Sequence, residues 1–297
     1  MKYDFPKIDL HLHLDGSMLP DSAWEMAEER GVKMPADNPE DFKKFIVVTA
    51  DCRDVNEYLE KFELPLQIMQ DREAIIRTAR ELVIMLAEQG LVYAEIRFAP
   101  QLHTRKGMTQ AEAIEAVIEG VNEGMKQAKT IDIGIICCTM SIGLETVNKE
   151  ENLETVRATK QYLGKGVVAL DLAGAEGIVP LKNFGYIFDL ARELELPITV
   201  HAGDSDGPQT AWDALEFGTK RIGHGHRVYD DKELIKKCIE DNVTLEICPT
   251  SNIQCQSQPS YAEHPAKKLL DMGVRVTINT DNMVLSDIDL DKEFVEA

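Results

Sequence analysis

The sequence predicts an α/β protein of the (β/α)₈, or TIM-barrel, class, and three observations carry that prediction. Short β-rich runs alternate with longer helical patterns, the signature of βα units joined in a parallel sheet. Eight such runs are found, the number that closes into a barrel. Polar residues suited to chemistry cluster just after the runs, where a barrel of this kind places its active site. The chain of 297 residues shows no internal repeat, low-complexity tract or Pro/Gly-rich linker, so residues 1–297 are expected to form a single barrel domain.

The eight runs are Lys7–His13, Leu91–Phe98, Ile131–Cys138, Gly166–Leu172, Pro197–His201, Arg221–Gly223, Val243–Cys248 and Val274–Thr280. Several are almost continuously apolar, Ile131–Cys138 (IDIGIICC) above all, as expected of strands covered on both faces. The stretch Ala111–Met125 carries the helical period, with Ile114, Val117, Ile118 and Val121 on one face and glutamates opposite. Leu181–Leu194 and Asp231–Cys238 behave similarly. The segment from Leu19 to Gly90 is too long for one crossover, so extra helices are expected after the first strand. The last helix, Leu290–Ala297, is short and is expected to be truncated, leaving part of the outer face of the eighth strand without cover.

Composition narrows the function classes. Acidic residues outnumber basic ones 52 to 32, for a formal charge of −20, which argues against nucleic acid and anionic membranes as partners. No apolar run approaches the ~20 residues that a membrane helix needs, and the N-terminus MKYDFPKIDL has no apolar signal core. The six cysteines (Cys52, Cys137, Cys138, Cys238, Cys248, Cys255) form no CxxC pair and read as free thiols in a reducing cytosol, so a cytoplasmic location is expected.

Chemistry is concentrated in few residues. Of seven histidines, four stand at strand ends: His11, His13, His201 and His224. His11 and His13 are two apart in an extended strand, so both side chains point to one face and two imidazoles can meet one cation. His201 ends the fifth strand and Asp281 the eighth. An HxH pair alone is weak evidence, but three imidazoles and a carboxylate at separate strand ends suit Zn²⁺ or a related divalent ion with a position left for water. The fourth strand ends Asp171-Leu172-Ala173-Gly174, without the lysine that typically bridges two metals in barrel hydrolases with an HxH strand, which favours one metal. His/Cys/Cys zinc deaminases need a CxxC pair that is absent here.

The segments Asp9–Ser17 (DLHLHLDGS), Tyr93–Pro100 (YAEIRFAP), Asp171–Gly174, His201-Ala202-Gly203, Arg221–Gly225 and Thr280-Asp281 together resemble the adenosine deaminase family of the metallo-dependent hydrolase superfamily. They stand in that family's order over nearly the whole chain. The resemblance implies zinc-dependent hydrolytic deamination of adenosine or deoxyadenosine, a step of purine salvage. It implies zinc ligation by His11, His13, His201 and Asp281. It also implies substrate contacts from His13, from Asp15 (to the ribose) and from Gly174 (by its backbone to the purine), and a role for His224 in holding the attacking water.

Two departures from the family pattern stand out. The family's proton donor is a glutamate in His-Ala-Gly-Glu, whereas this chain has Asp204, one methylene shorter; a misplacement of ~1 Å can cost ~100-fold in rate. Asp206 is a weaker alternative for the same task. The family's second aspartate after the eighth strand is Asn282 here, whose amide is able to donate to N7 of the purine. Adenine or a modified adenosine stay open as substrates, AMP is disfavoured by the lack of a basic cluster, and a zinc- or nucleoside-binding relative without turnover is the alternative. Arg97, Glu95 and Glu246 are expected to form a buried ion pair or to support the site from below. His103 and His226 read as pocket-border or surface residues, and His264 as structural.

Overall fold

The computed structural model describes residues 5–49 and 52–296. The strands are β1 (Lys7–His13), β2 (Leu91–Phe98), β3 (Asp132–Ser141), β4 (Val167–Gly174), β5 (Val200–Ala202), β6 (Arg221–His224), β7 (Thr244–Ile247) and β8 (Arg275–Ile278). The first two match the sequence reading residue for residue. β3 and β4 run two to three residues further at their carboxyl ends, because pairing between Thr139–Ser141 and Leu172–Gly174 continues beyond the apolar run. Between β1 and β2 lie α1 (Pro20–Arg30), α2 (Pro39–Ile46), α3 (Val55–Glu60), α4 (Glu63–Ile68) and the barrel helix α5 (Arg72–Glu88), so the insertion expected there is four helices. The remaining helices are α6 (Gln110–Ala128), α7 (Lys149–Tyr162), α8 (Gly185–Glu193), α9 (Pro208–Glu216), α10 (Lys232–Glu240), α11 (Pro249–Gln254), α12 (Ala266–Asp271) and α13 (Leu290–Glu296).

Local chemistry explains these boundaries. Asp71 caps α5 by accepting from Ala74 N at 2.9 Å. Thr109 and Glu112 form a reciprocal capping box at the start of α6. α5 and α6 approach closely because α6 offers Gly120 and Gly124; a Cβ on Gly120 would lie 2.4 Å from Ile76 O.

All strand pairs are parallel, in the order β1-β2-β3-β4 and β5-β6-β7-β8. The two sheets meet at both seams. Leu170 pairs with Ile198 between β4 and β5, and Leu12 pairs with Asp281 between β1 and the end of β8. At the second seam His13 N donates to Asp281 O at 2.7 Å and Asp281 N donates to His11 O at 2.8 Å. That seam therefore fixes the backbone of three prospective metal-binding residues against one another. β8 is the least buried strand, with Arg275 exposed and Val276, Thr277 and Ile278 half-buried. No described helix is long and apolar enough to cross a membrane.

Candidate metal and catalytic site

His11, His13, His201, His224 and Asp281 converge at the carboxyl ends of β1, β5, β6 and β8. The Nε2 atoms of His13 and His201 lie 3.3 Å apart. Asp281 Oδ1 lies 3.3 Å from His13 Nε2 and 3.6 Å from His11 Nε2. A tetrahedral cation with bonds of ~2.0–2.1 Å to nitrogen or oxygen separates its ligand atoms by roughly 3.3–3.4 Å, close to these spacings. His11 Nε2 is buried and has no hydrogen-bond partner, so it is free to ligate. Among the described residues, His11, His13 and His201 form one potential metal-holding group, and His11, His224 and Asp281 another.

The electrostatics suit that donor set. Burial lowers His11 to about 4 and His13 well below the ordinary imidazole range, so both present neutral nitrogen. Burial acts to raise Asp281, but the imidazoles of His11, His13 and His224 around it outweigh that and hold its carboxyl well below the usual carboxylate range. His201 is raised because Asp171, against the effect of burial, favours its proton. Second partners orient the rings: His11 Nδ1 is 3.1 Å from Glu246 Oε2, and His201 Nδ1 is 2.9 Å from Asp171 Oδ2. Ser251 Oγ donates to Asp281 Oδ2 at 2.6 Å. His224 (φ 62°) and Asp281 (φ 59°) both sit in the left-handed region, a cost met by the surrounding bonds. Gly223 is required beneath them, since a Cβ there would stand 2.8 Å from His11 Cε1.

Below this cluster lies a charge network that is buried except for the half-buried Arg221. Arg97 donates to Asp171 Oδ2 and to Glu246 Oε2, both at 2.8 Å, and to Leu10 O at 2.7 Å. Arg221 binds Glu246 Oε1 at 2.6 Å and Glu95 Oε2 at 2.5 Å. The support expected of Arg97, Glu95 and Glu246 is present, but Arg97 and Glu95 choose other partners across the barrel. Arg97→Met is expected to destabilise the fold by about 3–5 kcal/mol, because it removes the one fully buried cation that bonds both Asp171 and Glu246. An unchanged urea midpoint would refute this account of the network.

A cavity of about 330 Å³ opens on the cluster. It is lined by His13, Asp15, Gly174, His201, Asp204, His224, Asp281 and Asn282, and also by apolar residues of the inserted helices, including Tyr58, Phe62 and Leu66. No lysine or arginine lines it among the described residues. Burial raises Asp15 to about 6. Gly174 has φ +120°, and a Cβ there would meet Ser141 O at 2.6 Å. Asn282 Oδ1 is buried against Gly16, where an added Cβ would come within 1.9 Å of it. Gly16 is thus what allows Asn282 its place.

The carboxylate of Asp204 is buried and bonded: Oδ1 accepts from Asn252 Nδ2 at 2.7 Å and Ser257 Oγ at 2.9 Å, and Oδ2 from Ser205 Oγ at 3.3 Å. Burial acts to raise it, but the neighbouring imidazoles of His224 and His226 hold it below the usual carboxylate range. Asp206, by contrast, is exposed and does not line the cavity. The loop carrying Asp204 is clamped by Glu176, which accepts from Gly203 N at 2.6 Å, Asp204 N at 2.8 Å and Asp206 N at 3.0 Å.

Several residues differ from the sequence reading or escaped it. His103 and His226 are fully buried and do not line this cavity; His103 Nδ1 contacts Met69 O at 2.8 Å. Glu176, Ser251, Asn252 and Ser257 were not singled out. All four lie in segments that follow strands, so the strand-end rule that selected the histidines applies to them too. All six cysteines are buried and unpaired.

Residues 6–297 match the family model described as adenosine deaminase. The chain is 42% identical over 290 residues to the adenosine deaminase of Haemophilus ducreyi, covering 97% of this chain and 83% of that protein. Among solved structures it is similar to an Arabidopsis ADAL protein complexed with IMP (TM-score 0.84, 26% identity, covering 98% of this chain and 85% of that one). A zinc-bound amidohydrolase from Burkholderia ambifaria shares the fold, with TM-score 0.83 and 21% identity over 96% of this chain and 77% of that one.

Proposed function

The chain belongs to the adenosine deaminase family and is an aminohydrolase that deaminates adenosine, and from that premise we propose how its residues carry the reaction. The family and the donor set mark a catalytic metal site. In our reading it takes one zinc ion per chain, held by His11, His13, His201 and Asp281. When bound, the ion lowers the pKa of water to roughly 7 and so supplies hydroxide at neutral pH.

Asp204 and His224 serve the chemical step. Asp204 enters as a carboxylate, takes the proton of the attacking water and delivers it to N1 of the purine, which makes C6 electrophilic. Oδ1 is engaged by Asn252 and Ser257, so Oδ2 is the oxygen that carries this proton. His224 stabilises the negative charge that develops on the attacking oxygen. The C6–O bond forms; the proton of the new C6 hydroxyl then passes to the exocyclic nitrogen, the C6–N bond breaks, and ammonia leaves as the C6 carbonyl forms. Asp15 binds the ribose, the Gly174 backbone and His13 contact the base, and Asn282 donates to N7.

The observation that carries this reading is that one cavity is lined by His13, His201, Asp281, His224, Asp204 and Asp15 together. Its lack of basic lining favours adenosine and deoxyadenosine over AMP, although a structural neighbour binds IMP. Residues 1–297 act as one domain, in the cytoplasm, on a nucleoside of purine salvage. The test is ultraviolet absorbance of zinc-loaded protein with adenosine, deoxyadenosine, adenine and AMP. Conversion of both nucleosides well ahead of adenine and AMP is expected. Preference for AMP or adenine would overturn the substrate assignment.

A further inference from the structure

Behind the cavity runs a chain of buried hydrogen bonds whose direction is dictated at one end by a backbone amide. Ala266 N donates to His264 Nδ1 at 3.2 Å. A backbone N–H only donates, so Nδ1 is an acceptor and the proton of this imidazole sits on Nε2. Burial holds His264 down to about 4, in keeping with one proton on the ring. Its Nε2 faces Asn252 Oδ1 at 3.1 Å and donates to it. That fixes the amide of Asn252, a fully buried residue, with Nδ2 turned to the active site. Nδ2 has two hydrogens and two neighbours: Asp204 Oδ1 at 2.7 Å and His224 Nδ1 at 3.1 Å. Turning the amide over would set Oδ1 against a carboxylate oxygen and two donors against each other at His264. Both ends of the chain therefore demand the same polarity.

We infer that Asn252 and His264 are positioning residues that lock His224 in the Nε2–H tautomer and hold Asp204 by Oδ1. Nδ1 of His224 accepts from Asn252, so its single proton lies on Nε2, the nitrogen on the side of the metal-binding cluster. His224 is then a fixed hydrogen-bond donor to the attacking oxygen and not a base. Asp204, tied at Oδ1 by the same amide, is the group left to receive the proton of water. One amide thus assigns the donor and the acceptor. The consequence for turnover rests on the deaminase reading above; the tautomer itself does not.

The experiment is long-range ¹H–¹⁵N correlation spectroscopy of imidazole-labelled, zinc-loaded protein at one neutral pH, with His224 assigned by its loss in His224→Gln. The expected His224 spectrum has a deprotonated Nδ1 and a protonated Nε2. Asn252→Asp removes both donor hydrogens, and His224 is expected to move to the Nδ1–H form with kcat down about 100-fold and KM changed far less. His264→Leu is expected to give mixed tautomers, whereas His264→Gln, whose amide still donates to Asn252, restores the Nε2–H form. A protonated Nδ1 in the wild type, or the same His224 spectrum in Asn252→Asp, would overturn the inference. If the protein lacked deaminase activity but His224 behaved as described, the deaminase reading would fall and the relay would stand.

Discussion

His201→Ala is expected to lose both its bound metal and its turnover, while keeping the fold. In the proposed ligand set His201 is one of four donors, and its Nε2 lies 3.3 Å from that of His13, so its loss opens one full side of the cluster. The donors proposed to remain, His11, His13 and Asp281, would leave the ion one protein bond short. Metal chemistry at such a site provides several kcal/mol of transition-state stabilisation, so turnover should fall by about 10³-fold or more. Metal content by mass spectrometry reads the first effect, with one zinc per wild-type chain and a substoichiometric amount in the variant. Adenosine conversion reads the second. Asp171→Asn supplies a graded comparison: it removes the carboxylate beside His201 Nδ1 and should weaken metal binding by about 10–100-fold. Full metal occupancy in His201→Ala would remove His201 from the ligand set.

Asp204→Asn should separate holding the metal from using it. The variant keeps an acceptor oxygen for Asn252 and Ser257, so the loop and the metal cluster have no reason to change. What it lacks is the capacity to take a proton from water and pass it to the ring. General acid–base catalysis of this kind is worth about 10²–10⁴-fold, and kcat should fall within that range with bound zinc unchanged. Asp206→Asn, at an exposed carboxylate outside the cavity, should leave turnover within about twofold, in line with the small effects of surface changes. If Asp206→Asn were the damaging change and Asp204→Asn the mild one, the assignment of the proton-transfer group would be reversed.

Much of this site was legible because it obeys simple periodicities. His11 and His13 share a face because a strand repeats every two residues, and the strands are visible because a parallel sheet covered on both sides must be apolar. The strand-end rule then selects His201, His224 and Asp281 without reference to any contact. It does not separate Asp204 from Asp206, two residues apart in one loop. That choice depends on Glu176, a residue of the β4 loop, which accepts from the backbone of both and shapes the turn that sends only Asp204 inward. The link from Asn252 and His264 to His224 leaves no trace for a related reason. They are 28 and 40 positions beyond His224 in sequence, and a hydrogen bond between elements so far apart follows no period.

What the sequence determined by itself is the set of histidines and the aspartate at strand ends, the strands that present them and the class of chemistry those side chains allow. These follow from residue type and from spacing within single elements. The tertiary structure decided which charges pair and which protons point where. Arg97 bonds to Asp171 and Glu246 rather than to Glu95, and His224 is left with its proton on Nε2, because barrel closure brings strands and loops distant in sequence within 3 Å or so of one another. Pairing across the barrel is a property of register and closure, and neither is written in any one segment.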